Sequence, residues 1–180
     1  MASKGQEAKP LTVLNATGSR EPFFLRKIAR PTPWVQALAS GDLSSVRAFL
    51  LEPDGKVSLW LVQNDVALRR VAIAVNEGRD SLQERITFLP ILPIELESVG
   101  IKLAQTPGET NCEAARVLHF DASISEDASS QMVQMVLRAK RSVGTCTRGQ
   151  MTKAIDDAQN DGCFAVVEDS LACRCGATRG

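Results

Sequence analysis

Val46-Arg47-Ala48-Phe49-Leu50-Leu51-Glu52-Pro53-Asp54-Gly55-Lys56-Val57-Ser58-Leu59-Trp60-Leu61-Val62 is the stretch on which the fold turns. Both flanks are apolar-rich, and Glu52 to Lys56 separates them. Pro presets φ and Gly accepts positive φ, so Pro53-Asp54-Gly55 is strong turn chemistry. In the second flank Val57, Leu59 and Leu61 alternate with Ser58, Trp60 and Val62, the period of a strand. This pattern predicts a hairpin near 46–62. Asp65 is then a candidate N-cap, and Leu68, Val71, Ala72 and Val75 follow the i, i+3, i+4, i+7 spacing of a helix that Gly78 can end. The unit therefore reads as strand, strand, helix.

Working outward, Phe23 to Ile28 forms an apolar cluster that suits an edge strand or a docking segment. Pro33 suits the first turn of a helix over 34–39. Downstream, 85–92 reads as a strand whose prolines place it at an edge or an end. A short helix over 93–99 is stopped by Gly100, and 101–104 is a short strand. Pro107 to Thr110 is a turn, and 115–120 is a strand with helix as the alternative. Ser123 and Glu126 fit a capping box before a helix near 124–142, and Thr147 and Gln150 fit a second before one near 148–160. Residues 163–167 read as a buried strand.

The expected fold class is α+β. One domain over 21–170 has a central antiparallel or mixed sheet, with helices near 66–77, 124–142 and 148–160 packed on it. Flexible tails are expected over 1–20 and 171–180.

Ala37 to Leu51 resembles the helical part of one ankyrin repeat. The resemblance implies helix over 46–51, against the hairpin, so 37–51 stays open between the two. No second copy follows about 33 residues later, and one unit cannot bury its own face.

The chain has 180 residues, 21 Lys plus Arg and 21 Asp plus Glu, 44% hydrophobic and 23% charged. These values exclude a charged disordered tail and a strongly basic nucleic-acid coat. Six Phe, two Trp and no Tyr make the core aliphatic. The zero net charge is a cancellation: residues 1–90 carry 12 basic and 9 acidic groups, and residues 91–180 carry 9 and 12. No run of about 18 apolar residues predicts a membrane helix, and 1–10 has no apolar leader core. Five cysteines, an odd number, suggest free thiols in a reducing cytoplasm.

Three constellations carry chemistry. The single histidine, His119, has Asp121 two residues on, and i and i+2 share a strand face. That carboxylate can orient the imidazole, with Cys112 as nucleophile. Cys163, Cys173 and Cys175, completed by Cys112, Cys146 or His119, offer a candidate tetrahedral zinc set, although the usual C-x₂-C spacing is missing. Arg138, Lys140, Arg141, Arg148 and Lys153 form a basic stretch spanning two capped helices, loosely like a helix-turn-helix; Asp156, Asp157 and Asp161 on the second helix oppose phosphate binding. Nucleotide-binding glycine loops are absent, and no cofactor is expected.

By elimination, the first expectation is a non-catalytic cytosolic protein-binding module: a regulatory, immunity-type or accessory factor. Its partner is another protein or a second copy, and Met132, Met135 and Met151 supply an adaptable helix face. The alternatives are a nucleic-acid-binding regulator using 138–153 and a small thiol- or His-dependent enzyme.

Overall fold

Strand Phe23–Lys27 (β1) lies between two partners in a six-stranded antiparallel sheet. The others are Lys56–Val62 (β2), Ile86–Ile91 (β3), Ala104–Gln105 (β4), His119–Ser123 (β5) and Gly144–Cys146 (β6). Their order is β4-β5-β2-β1-β3-β6. The computed structural model describes residues 20–52, 54–77, 84–110, 112–138 and 143–160, together with the course of Phe164–Val167 (β7) and Ser170–Cys173 (β8). Strands β7 and β8 pair with each other as a separate hairpin.

Seven helices complete the described elements: Pro31–Ser40 (α1), Leu43–Leu50 (α2), Asp65–Ala74 (α3), Pro93–Ser98 (α4), Glu113–Arg116 (α5), Glu126–Arg138 (α6) and Arg148–Asn160 (α7). The fold is α+β, as expected. The sheet has a core on each face. On one face Phe23, Leu25, Trp60 and Val62 meet Leu68 and Val71 of α3, Ala115 of α5, and Met151 and Ala154 of α7. On the other, Phe24, Val57, Leu59 and Leu89 meet Trp34, Val46, Leu50, Leu96, Met132 and Val136 from α1, α2, α4 and α6. The alternation in β2 produces this division, since successive strand side chains point to opposite faces.

The first arm of the expected hairpin is a helix. Asp42 caps α2, its carboxylate accepting from Ser45 N at 3.1 Å, and Val46 and Leu50 are buried one turn apart. A bond from the Ser45 hydroxyl at 2.7 Å, together with the backbone one, holds the Asp42 carboxyl below its usual range. A short apolar run fits either period, and the cap and the i, i+4 burial decide for helix. The turn before β2 forms as expected: Gly55 N donates to Glu52 O at 2.9 Å, and Gly55 takes φ 76°. It joins a helix to a strand.

β1, expected as an edge strand or docking segment, and β3, expected at an edge or with its prolines at a strand end, are both interior strands, and Pro90 lies next to the end of β3. Ile28 N donates to Thr87 O, so residues 87, 89 and 91 hydrogen-bond toward β1, and Pro90 turns its missing N–H the other way. The last described β6 pair on that side is Phe88–Gly144, so Pro90 interrupts no described pairing there. Asn64, one residue before the expected cap, caps α3. Ser125 caps α6 in place of Ser123, with Ala128 N donating to its Oγ. Thr147 and Gln150 form the expected box. Residues 115–120 divide between α5 and β5, and 171–173 of the expected tail belong to β8. Gly78, Asp161 and Gly162 lie outside the described residues. Among the described residues no helix is long and apolar enough to cross a membrane.

Leu59 is fully buried at the centre of β2. Leu59→Ala is expected to lower unfolding free energy by about 2–5 kcal/mol in a denaturant titration. A loss under about 1 kcal/mol would show that this face is not the packed core described.

Candidate functional site

His119 opens β5, and its position follows from two pairings. Trp60 of β2 stands opposite His119, and Ser58 stands opposite Asp121. Ser58, Trp60, His119 and Asp121 therefore share one sheet face. On the other side β4 brings Thr106 alongside, its N–H donating to His119 O at 3.1 Å. His119 is buried, and its ring meets Trp60 edge-on at 4.7 Å.

Both ring nitrogens are engaged. Nε2 lies 2.6 Å from Ser58 Oγ. Nδ1 lies 3.0 Å from Thr106 Oγ1 and 3.3 Å from Thr106 O. A carbonyl can only accept, and the Thr106 hydroxyl spends its own hydrogen on Asp121 Oδ2 at 2.8 Å. The network thus assigns the proton to Nδ1, which leaves Nε2 to accept from the Ser58 hydroxyl. Asp121 Oδ1 is 3.7 Å from Nε2, so the carboxylate orients the ring chiefly through Thr106.

The segment over 106–110 clasps this pair. A Cβ on Gly108 would stand 2.6 Å from Trp60 Cη2 and 3.1 Å from His119 Cβ, so only glycine fits. The Thr110 hydroxyl donates to the Glu77 carboxylate beyond the end of α3, and Arg116 Nε donates to Thr110 O. The clasp is therefore anchored to both neighbouring helices.

Ser58, Trp60, His119 and Asp121 line an open pocket of about 450 Å³. Arg26 and Lys27 supply its cations. Arg26 Nη1 donates to Ser58 O at 3.2 Å and pairs with Glu52 at 3.4 Å. Burial pushes the Arg26 guanidinium down from its usual value, against the pull of Glu52 and Asp121. The Lys27 ammonium donates to Val75 O at the end of α3.

The structure brings His119 and Asp121 together and leaves Cys112 out. Cys112 is buried beside α5 within the apolar cluster and does not line the pocket; the side chain against His119 Nε2 is Ser58. Cys146 is also buried, and desolvation pushes its thiol up to about 12. Cys163 and Cys175 lie outside the described residues, and of Cys173 only the course of β8 is described. Among the described residues no group of three His, Cys, Asp or Glu side chains could hold a metal ion.

The basic stretch does not form a helix-turn-helix. Helix α6 packs on one sheet face and α7 on the other, with β6 between them in sequence. Arg138 bonds Gln134, Lys153 pairs with Asp157 at 3.6 Å, Arg148 is exposed, and Lys140 and Arg141 lie outside the described residues. Met132 and Met151 are fully buried, so they belong to the two cores.

Ser58 and Thr106 escaped the sequence reading. The available signal was a hydroxyl on the face of β2 opposite Val57 and Leu59. No protein-family model, no curated protein and no solved structure matches the chain.

Two outcomes check this geometry. Gly108→Ala is expected to cost about 1–3 kcal/mol of stability and to change Trp60 fluorescence, because the indole must move; unchanged fluorescence and stability would contradict the clasp. Cys146 is expected to resist iodoacetamide in the folded protein at neutral pH, since it is buried and stays protonated. Rapid modification of Cys146 without unfolding would refute that placement.

Proposed function

We propose that the chain is a small hydrolase that transfers an acyl group through Ser58. The carrying observation is the 2.6 Å contact between Ser58 Oγ and His119 Nε2, with Nδ1 committed to Thr106 and through it to Asp121. A nucleophile, a base and an orienting carboxylate in sequence form the arrangement that activates a weak hydroxyl.

In this reading Ser58 Oγ bonds the substrate's carbonyl carbon while its proton passes to His119 Nε2. The bond to the leaving group then breaks, and the leaving group takes that proton. Water next attacks the acyl-serine with His119 again as base, releasing the acid and restoring the hydroxyl. Arg26 and Lys27 are the two cations on the pocket wall, Arg26 bonded to Ser58 O and Glu52 and Lys27 to Val75 O. The two buried free thiols and the odd cysteine count support a reducing, cytoplasmic setting. The protein-binding role expected from the sequence is a separate proposal, and it loses its positive feature with Met132 and Met151 in the cores.

A fluorophosphonate probe is expected to form an adduct at Ser58, identified by peptide mass spectrometry. His119→Ala should slow that labelling by about 100-fold or more, and Thr106→Val should slow it less. Folded protein that acquires no Ser58 adduct would overturn the reading.

A further inference from the structure

We propose that Arg26, braced by Glu52, is a positioning residue that fixes the Ser58 peptide where β1 and β2 part. This rests on the acyl-transfer reading and adds a residue to its machinery. The ladder of β1 with β2 runs from Phe23–Val62 to Leu25–Trp60 and ends there. Beyond that pair β1 stays on β3 as far as Lys27–Phe88, and β2 stays on β5 as far as Lys56–Ser123. The pocket lies at this parting, lined by Arg26 and Lys27 of β1 and by Ser58 and Trp60 of β2. Leu61 N donates to Leu118 O on the β5 side, and backbone groups alternate along a strand, so the Ser58 carbonyl points toward β1. There it accepts from Arg26 Nη1 at 3.2 Å, and the same nitrogen reaches Glu52 Oε1 at 3.4 Å.

Stability does not account for this placement. Only 13% of the Arg26 side chain is exposed, and burial works against its charge. Its Nε is buried with no hydrogen-bond partner among the described residues. A buried guanidinium with one N–H unmatched costs stability, and an apolar side chain of similar size often costs none. Nor is charge near Asp121 its distinctive contribution, since Lys56 also attracts both Asp121 and Glu52. What Arg26 alone supplies among the described residues is a side-chain bond to the Ser58 peptide. Ser58 Oγ meets His119 Nε2 only while its own backbone is held, and a displacement of about 1 Å at a reacting atom can slow a reaction about 100-fold.

The test follows fluorophosphonate labelling of Ser58, the melting temperature and the ¹³C shift of the Ser58 carbonyl in the full chain. Arg26→Met removes the donor and keeps the bulk. It is expected to slow labelling by about tenfold or more, to leave the melting temperature unchanged or raised, and to move the carbonyl resonance upfield as its hydrogen bond is lost. Arg26→Lys keeps a cationic donor and should recover part of both the rate and the shift. An unmoved carbonyl in Arg26→Met, or a loss of labelling that only tracks a fall in melting temperature, would overturn the proposal. Should Arg26→Met not fold, Glu52→Gln decides at the more exposed end of the pair. Slower labelling with a shifted carbonyl supports the role, and no change in either overturns it. A carbonyl that moves in Arg26→Met, with no Ser58 adduct in the unmodified chain, upholds the hold on Ser58 and sinks acyl transfer. Labelling at equal rates in the unmodified chain and Arg26→Met upholds acyl transfer and sinks the positioning role.

Discussion

The register between β2 and β5 is the constraint on which the site and both cores depend. It sets Ser58 opposite Asp121 and Trp60 opposite His119. The same register sends Val57, Leu59 and Ala122 to the other face, into the core beneath α1, α2 and α6. A slip of one residue exchanges the two sets, sending Ser58, His119 and Asp121 into the apolar layer beneath α1, α2 and α6 and removing Val57, Leu59 and Ala122 from it. Packing on one side of the sheet therefore fixes chemistry on the other. Both cores mix aliphatic side chains with the chain's Phe and Trp residues, Trp34, Phe23 and Phe88 among the most buried.

The polar network is self-consistent, which explains how it tolerates burial. His119 uses both nitrogens, and Thr106 both donates and accepts. Unpaired buried polar groups cost about 1–3 kcal/mol each, so a network with every member engaged rigidifies where a partial one would destabilise. Arg26 shows the opposing forces in one side chain: burial disfavours its charge, and Glu52 and Asp121 restore part of what is lost. The clasp over 106–110 then confines the histidine from above, with glycine at the closest approach.

Much of the fold was legible because it is written in local periods. The alternation of β2, the apolar stripes of α3, α6 and α7, and the box at Thr147 and Gln150 all describe neighbours within a few residues. Val46 to Leu50 misled because a strong turn followed an apolar run too short to show its period, while the deciding signal, Asp42 bonding Ser45, sits upstream. The interior places of β1 and β3 were not legible, since strand order is set by long-range pairing. The site was half legible for the same reason. His119 and Asp121 are two residues apart and share a strand, whereas Ser58 lies 61 residues from His119 and Thr106 lies 13 away. Cys112 is a conspicuous residue in the sequence, whereas strand pairing places the inconspicuous Ser58 against His119.

His119 is held as the Nδ1–H tautomer, with Nε2 accepting from the Ser58 hydroxyl. The chain has one histidine, so a long-range ¹H–¹⁵N correlation spectrum of the folded protein reports on this ring alone. A pyrrole-like Nδ1 and a pyridine-like Nε2 are expected while the ring is neutral, with the pattern changed in Thr106→Val. A pyridine-like Nδ1 and a pyrrole-like Nε2 would mean that Nε2 cannot accept from Ser58, contradicting this assignment.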